Sequence, residues 1–463
     1  MTELSTKQQY LILVATSLGV LMSPLLASMI ILGLPAIGSE FQVSARDLGW
    51  INTAYVLANV IFLVPASWFV NRIGYKKSFI IGTAILAATA FLAAVSPNYA
   101  VLLASRALSG IGVAFLVITG IAIITRVFPP DKRGFAIAIN TTMVYIGGTV
   151  GPALGGTLTE LFGWRSPFLL IIPLVLLSGI LLSLFMKTEF TVPVRKFDGI
   201  GAVLYALAMF ALVFGITTIT DSGSLLIAGI GLLLFIAFIW YEMRKETPLL
   251  RVRLFAENKR FARSSYAALL NYAAIYAVTY MVSLYLQSVG QLSAAETGFI
   301  LLFQPLVQAI ATPAVGKFSG KVDAKYLTTA GMVLTIIGLL LLSGLGLSMT
   351  NVALYIIIAQ VFTAFGVSLF SAPNTTTIMS SVKPEEYSMA SSLVSVFRMA
   401  GMLLSMAVCM TVISVIVGST ALLGPAVYAE FTAALRISML ISVALSFVGL
   451  FFSWFRGPAP NQQ

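Results

Sequence analysis

Fourteen stretches of about 18 or more residues, each apolar enough to cross a bilayer, follow one another along the chain between charges and turn residues. They centre near Val20, Asn59, Leu86, Val113, Val144, Leu176, Phe210, Leu233, Ala274, Gln308, Ile337, Gln360, Leu403 and Val443. Hydrocarbon offers no water to a backbone amide, so each stretch must close its hydrogen bonds within itself. The fold class that follows is all-α, a polytopic membrane protein with 14 transmembrane helices. Only 9% of the 463 residues are charged, against about 25% in soluble chains, which leaves too little polar surface for a soluble globule.

Charge sets the expected topology. The formal net charge is +11, and the basic residues fall between alternate spans. Lys7, Arg72, Lys76, Lys77, Arg126, Lys132, Arg133, Lys187, Arg195, Lys196 and the group from Arg244 to Arg263 share one side with Lys317, Lys321, Lys325, Lys383 and Arg456. The other side holds Arg46, Arg165 and Arg436. The positive-inside rule then puts both termini in the cytoplasm of a multi-pass protein of the cell (plasma) membrane. The basic excess is a topological signal and implies no nucleic-acid partner. Lys7 precedes an apolar run too long for the core of a signal peptide, so that run reads as a retained first helix.

There is no histidine, and Cys409 is the only cysteine. No intrachain disulfide, cysteine metal site or histidine base can be assembled, so no metal, no cofactor and no enzyme activity are expected. A membrane enzyme or scaffold is the remote alternative.

Two halves repeat. Pro130 and Pro384 precede spans five and thirteen, and Gly147 and Gly401 follow at a shared offset. Arg72 and Lys76, with Ser67 before them, are echoed by Lys321 and Lys325 with Gly316 before them. A parallel repeat of six spans predicts two six-helix bundles with two extra central helices. The expected divisions are an N-terminal bundle over 1–190, the two extra helices over 191–245, a cytoplasmic basic connector over 246–262 and a C-terminal bundle over 263–463.

Span five contains Asn140 to Gly156. Gly147, Gly151 and Gly155 lie four apart on one face, with Gly148, Pro152 and Gly156 in a row beside them, so the helix is built for close approach. The proline frees backbone groups that neighbouring protein must satisfy. Ionisable residues at membrane depth are functional candidates by default. All sixteen acidic residues lie away from the span midplanes; Arg106 and Arg398 are inside spans four and thirteen. A substrate cavity is expected around Arg398 with Tyr145, Asn140, Gln304, Gln308, Asn271, Tyr276 and Gln360.

The helix-five run Gly147-x-x-x-Gly151-Pro152-x-x-Gly155-Gly156 is similar to the antiporter motif of a transporter family. So are Arg106 with Gly110 and Gly112, Trp50 and Tyr55, Trp164-Arg165, Asp198-Gly199, Tyr285-Leu286-Gln287, and Phe397-Arg398-x-x-Gly401. On these residues the chain resembles the major facilitator superfamily, in its fourteen-helix drug:proton antiporter-2 branch. Some positions depart from the family: Ala138 and Ser109 replace a usual Gly and Gln. Asn71 stands at the acidic member of the loop between helices two and three, and Leu26 and Ile31 at an Asp and an Asn of helix one.

The resemblance implies a secondary transporter that exports small lipophilic or amphiphilic, drug-like compounds by alternating access. The partners are the substrate, the lipid bilayer and a proton as coupling ion, in a monomer. Coupling candidates are Arg106, Glu160, Glu296 and Asp47. Asn71, Arg72, Gly74, Lys76, Lys77, Lys321 and Lys325 would form a cytoplasmic gate, its latch weakened by Asn71. The alternative is an anionic or lipid-like substrate recognised by Arg398, with no coupling through a buried carboxylate. The glycine rows of span five, as hinge, are expected to meet span ten with Gly298, Pro305, Pro313 and Gly316.

Overall fold

The computed structural model describes residues 5–191, 197–245, 248, 250, 252–318, 322–347, 349–382, 387–418 and 423–457; within these, only the backbone is described at 130–135, 137, 138, 141, 145, 313, 316–318 and 387–392. The helices in order are α1 (Thr6–Phe41), α2 (Ala45–Ile73), α3 (Tyr75–Ala94), α4 (Tyr99–Val127), α5 (Pro130–Phe162), α6 (Ser166–Phe185), α7 (Gly199–Thr217) and α8 (Ser224–Arg244). They continue with α9 (Arg253–Glu257), α10 (Lys259–Leu284), α11 (Ala294–Leu301), α12 (Phe303–Phe318), α13 (Ala324–Ser343), α14 (Val352–Ser380), α15 (Tyr387–Ile416) and α16 (Tyr428–Trp454). No strand occurs among the described residues. Thirteen spans are long and apolar enough to cross a membrane, α11 and the start of α12 counting as one and α10 running on to Val289. Helix α5, with 33 residues, is about 50 Å long and supplies the fourteenth. The fourteen-helix, all-α expectation holds.

Polar residues set the ends. The Asn98 side chain accepts the Val101 N–H at 3.0 Å to start α4, and Asn258 accepts the Phe261 N–H at 2.9 Å to start α10, each satisfying an amide with no intrahelical partner. Within α1, Pro24 cannot donate to the ladder, and the Ser28 hydroxyl bonds the Pro24 carbonyl at 2.6 Å.

The chain divides into two compact units. The first comprises residues 1–43, 50–198 and 293–299; the second comprises 44–49, 199–292 and 300–463. In the first, α1 packs on α4, α5 and α6, while α3 packs on α4 and α6. In the second, α10 packs on α14, α15 and α16, while α13 packs on α14 and α16. Substituting α10 for α1, and α13 to α16 for α3 to α6, turns one list into the other. The two units are built on one pattern, as a parallel sequence repeat requires. The α7–α8 hairpin has no counterpart in that list; it packs on α15 through α7.

The second unit also buries a cation outside its spans. Arg456, only 1% exposed, donates to the hydroxyls of Thr328 at 2.6 Å, Ser453 at 2.8 Å and Thr377 at 3.3 Å. Burial, with a smaller push from Arg260, lowers its pKa to about 10. It ties α13, α14 and α16 together.

Candidate functional site

The glycine-rich helix α5 uses its two rows differently. A Cβ at Gly147 would meet the Leu21 carbonyl, at Gly151 the Ser28 side chain, and at Gly155 the backbone of Met29. The first row is therefore the seat of α1. In the second row Gly156 lies against the backbone of Ala294 and Ala295, and Gly298 lies in turn against the Pro152 carbonyl. Gly148 has nothing within 4 Å.

The turn resting on that second row begins α11 with a capping box. The Ser293 N–H donates to Glu296 at 2.8 Å, and the Glu296 N–H donates to the Ser293 hydroxyl at 3.2 Å. The next amide, Ala295 N–H, donates across to the Glu160 carboxylate on α5 at 3.1 Å. Helix α2 begins with a related cap, closed through the serine hydroxyl. The Ser44 hydroxyl donates to Asp47 at 2.7 Å, and the Asp47 N–H donates back at 3.1 Å. The sequences match: Ser44-Ala-Arg-Asp-Leu-Gly-Trp-Ile51 and Ser293-Ala-Ala-Glu-Thr-Gly-Phe-Ile300 stand at the offset that relates Arg72 to Lys321. Of the four coupling candidates, Asp47 and Glu296 thus cap their own helices, and Glu160 reaches another.

The fourth, Arg106, is 1% exposed in α4. Its guanidinium carbon lies 4.6 Å from the Tyr55 ring centroid, its Nε donates to the Ile51 carbonyl at 3.3 Å, and the Tyr55 and Ser23 hydroxyls are 2.5 Å apart. A cation over a desolvated ring face is attracted by about 2 kcal/mol. Leu26, Ser105, Arg106, Ser109 and Phe168 line one crevice there. The apolar replacement of the family's helix-one Asp therefore sits beside the buried guanidinium.

Arg398 is half-buried in α15, within the span Leu393–Ile416, and none of the described acidic residues lies within ion-pair distance of it. The close seat of α15 on α10 begins one turn later, where a Cβ at Gly401 would fall on the Leu269 carbonyl. Among the other cavity candidates, Asn140 is buried and donates to the Ser17 hydroxyl at 3.4 Å, an interhelical bond between α5 and α1. Asn271 on α10 is 1% exposed, and neither its oxygen nor its nitrogen has a hydrogen-bond partner among the described residues. Gln360 on α14 is buried with its oxygen in the same condition. Gln304 and Gln308 on α12, and Tyr276 on α10, are half-buried. The side chain of Tyr145 lies outside the described residues, as does Lys321.

At the gate residues, the start of α3 is organised by a carboxylate from another loop. Glu189 accepts the Lys76 N–H at 2.8 Å and the Lys77 N–H at 3.0 Å, and the Tyr75 N–H donates to the Phe190 carbonyl at 3.1 Å. Gly74 has φ +109°, and a Cβ there would strike the Glu189 carboxyl group, so this turn needs glycine twice over. Half-buried Asn71 lies in the last turn of α2 beside Arg72, whose guanidinium lies 5.2 Å from the Trp68 ring centroid. The Lys76 ammonium bonds the Ser183 carbonyl at 3.1 Å, and Lys325 lies 3.9 Å from the Trp454 ring centroid. Glu189→Ala is expected to lower stability by about 1 kcal/mol, the worth of a good cap, and to speed proteolysis near residue 189. An unchanged unfolding temperature and cleavage rate would count against the cap.

The sequence matches the Major Facilitator Superfamily over residues 16–406 and 264–463. The chain belongs to this superfamily. Relatives in the family include the multidrug resistance protein Stp of Mycobacterium tuberculosis, 29% identical over 89% of this chain and 78% of that protein. The lincomycin resistance protein LmrB of Listeria monocytogenes is 24% identical over 93% and 96%. The riboflavin transporter RibZ of Clostridioides difficile is 27% identical over 85% of each chain. Among solved structures, a bacterial homologue of the lysosomal transporter Spinster superposes with a TM-score of 0.73 at 17% identity, over 98% of this chain and 97% of its own. A POT family transporter superposes at 0.74 and 14%, over 98% and 97%; at such identities the likeness is one of fold. The protein is a multi-pass membrane protein of a transporter family.

Proposed function

We infer that the protein exports small lipophilic or amphiphilic compounds across the cell membrane by alternating access, in exchange for protons, with its termini in the cytoplasm. The observation that carries this reading is similarity along almost the whole chain to proteins named for multidrug and lincomycin resistance. For the proton, the geometry favours Glu160. It is exposed, and its acceptor role toward Ala295 N–H is strongest when ionised, because a carboxylate at a helix N-terminus makes a charge-assisted bond. Protonation from the outer side would weaken that bond and loosen the start of α11 from α5.

A second reading is favoured by Arg398, a half-buried guanidinium within a span. A fixed cation there attracts an anionic substrate, whose own charge would stand in for the missing carboxylate. Arg398→Ala tests the two. Under the first reading, flux of cationic and neutral probes into proteoliposomes stays within about threefold of wild type. Under the second, flux of every transported probe falls at least about tenfold, equivalent to about 1.4 kcal/mol of lost attraction, and an imposed pH gradient has no effect on what remains.

A further inference from the structure

The α7–α8 hairpin is the part of the fold that the repeat leaves unexplained. Its helices meet closely, Gly215 against Ala228 and Gly231 against Leu212, and much of the remaining surface is apolar and exposed, as at Val203, Leu207 and Leu233. At one end it is fastened to α15: the Thr411 hydroxyl donates to the Ile216 carbonyl at 2.7 Å, and the Thr220 and Ser414 hydroxyls are 2.5 Å apart. The turn just beyond carries Asp221. Both its oxygens accept from the Arg46 guanidinium, at 2.9 and 3.0 Å.

Arg46 belongs to the first turn of α2, which groups with the second unit although most of α2 does not. The same turn is held there by the Tyr280 hydroxyl, which donates to the Ala45 carbonyl, and by Gly49, which rests against the Met410 side chain. The repeat shows what is special in this arrangement. The equivalent turn at α11 has the same Ser-x-x-acid pattern and the same glycine, but Ala295 takes the place of Arg46, and no second such hairpin is found among the described residues. The charge occurs where the hairpin can answer it.

We propose that the α7–α8 hairpin is a clasp on the first turn of α2, closed by the Arg46–Asp221 ion pair, and that this pair must part whenever the turn leaves its seat during transport. The proposal rests on the alternating-access reading, since a static helix would need no releasable fastening. The Arg46 side chain is 11% exposed and Asp221 44%, and Arg46 also has Asp47 at 3.7 Å. The pair is thus a half-solvated one that can open reversibly. Asp47 keeps its bonds with the Ser44 hydroxyl when Asp221 is replaced.

The test reads the seat of α2 and not transport. In a Cys409→Ala background, Ala45→Cys places a thiol at a position 1% exposed, and its reaction with a membrane-impermeant maleimide added outside reports unseating. Asp221→Asn and Arg46→Gln are each expected to raise the labelling rate about three- to tenfold, as loss of a partly exposed ion pair would. The double variant should label no faster than either single one. Raised ionic strength should speed labelling of the parent and leave Asp221→Asn unchanged. Leu48→Cys, at 2% exposure, provides the same readout if Ala45→Cys is not produced. Equal labelling in all variants, or additive effects in the double, would overturn the clasp. Altered labelling in a protein that moves no substrate would instead refute the transport reading and leave the clasp standing.

Discussion

Gly155→Leu is expected to yield little or no folded protein. The side chain would have to enter space held by the Met29 backbone, and backbone within a packed helix cannot turn aside as a side chain can. Overpacking a core costs about 1–3 kcal/mol where side chains can yield, so Leu at this seat should exceed that range and separate α1 from α5, the two helices that the glycine row joins. Gly148→Leu is the internal comparison, since nothing lies within 4 Å of a Cβ there, and it should match wild type in yield and unfolding temperature. The measurement is thermal unfolding in detergent, with the amount of monodisperse protein recovered. Equal stability of the two variants would show that the glycine row is not the seat of α1.

Glu160→Gln should abolish the response to a pH gradient while leaving exchange of substrate at equilibrium within about threefold of wild type. Gln keeps an oxygen that can accept the Ala295 N–H, but without charge, so it mimics a carboxyl group that is always protonated. Accumulation driven by an inside-to-outside pH difference should fall to the level seen with no gradient. Glu296→Gln makes the contrast: that residue caps its own helix, and its loss should cost stability without uncoupling. If Glu160→Gln keeps a full gradient response, the proton enters elsewhere.

The fold was legible in the chain because long apolar runs in lipid admit one secondary structure, and the repeat was written in prolines, glycines and basic loops. The start of α2 and of α11 was legible too. Ser44-x-x-Asp47 and Ser293-x-x-Glu296 are capping boxes in plain sequence, but seeking carboxylates as proton carriers draws attention away from their local use. Partners far apart in sequence carried no such signal. Glu40 accepts the Trp164 indole N–H at 2.7 Å and the Arg165 guanidinium at 2.8 and 2.6 Å, and Glu189 serves α3 from beyond α6. Nothing in either neighbourhood announces the pairing, since only the packing of whole helices brings those loops together. The same is true of Arg106, whose aromatic partner Tyr55 lies on another helix. Leu26 could be seen as a departure in helix one, but its place beside Arg106 depends on how α1 and α4 pack.

Flux into proteoliposomes tests the central claim most directly. Wild-type protein, inserted in a known orientation, is offered cationic, neutral and anionic lipophilic probes with and without an imposed pH gradient. Cationic and neutral probes are expected to accumulate against their own gradients only while the pH gradient stands, and to leak back when an ionophore collapses it. Uptake that is the same with and without the gradient for every probe would contradict proton-coupled export.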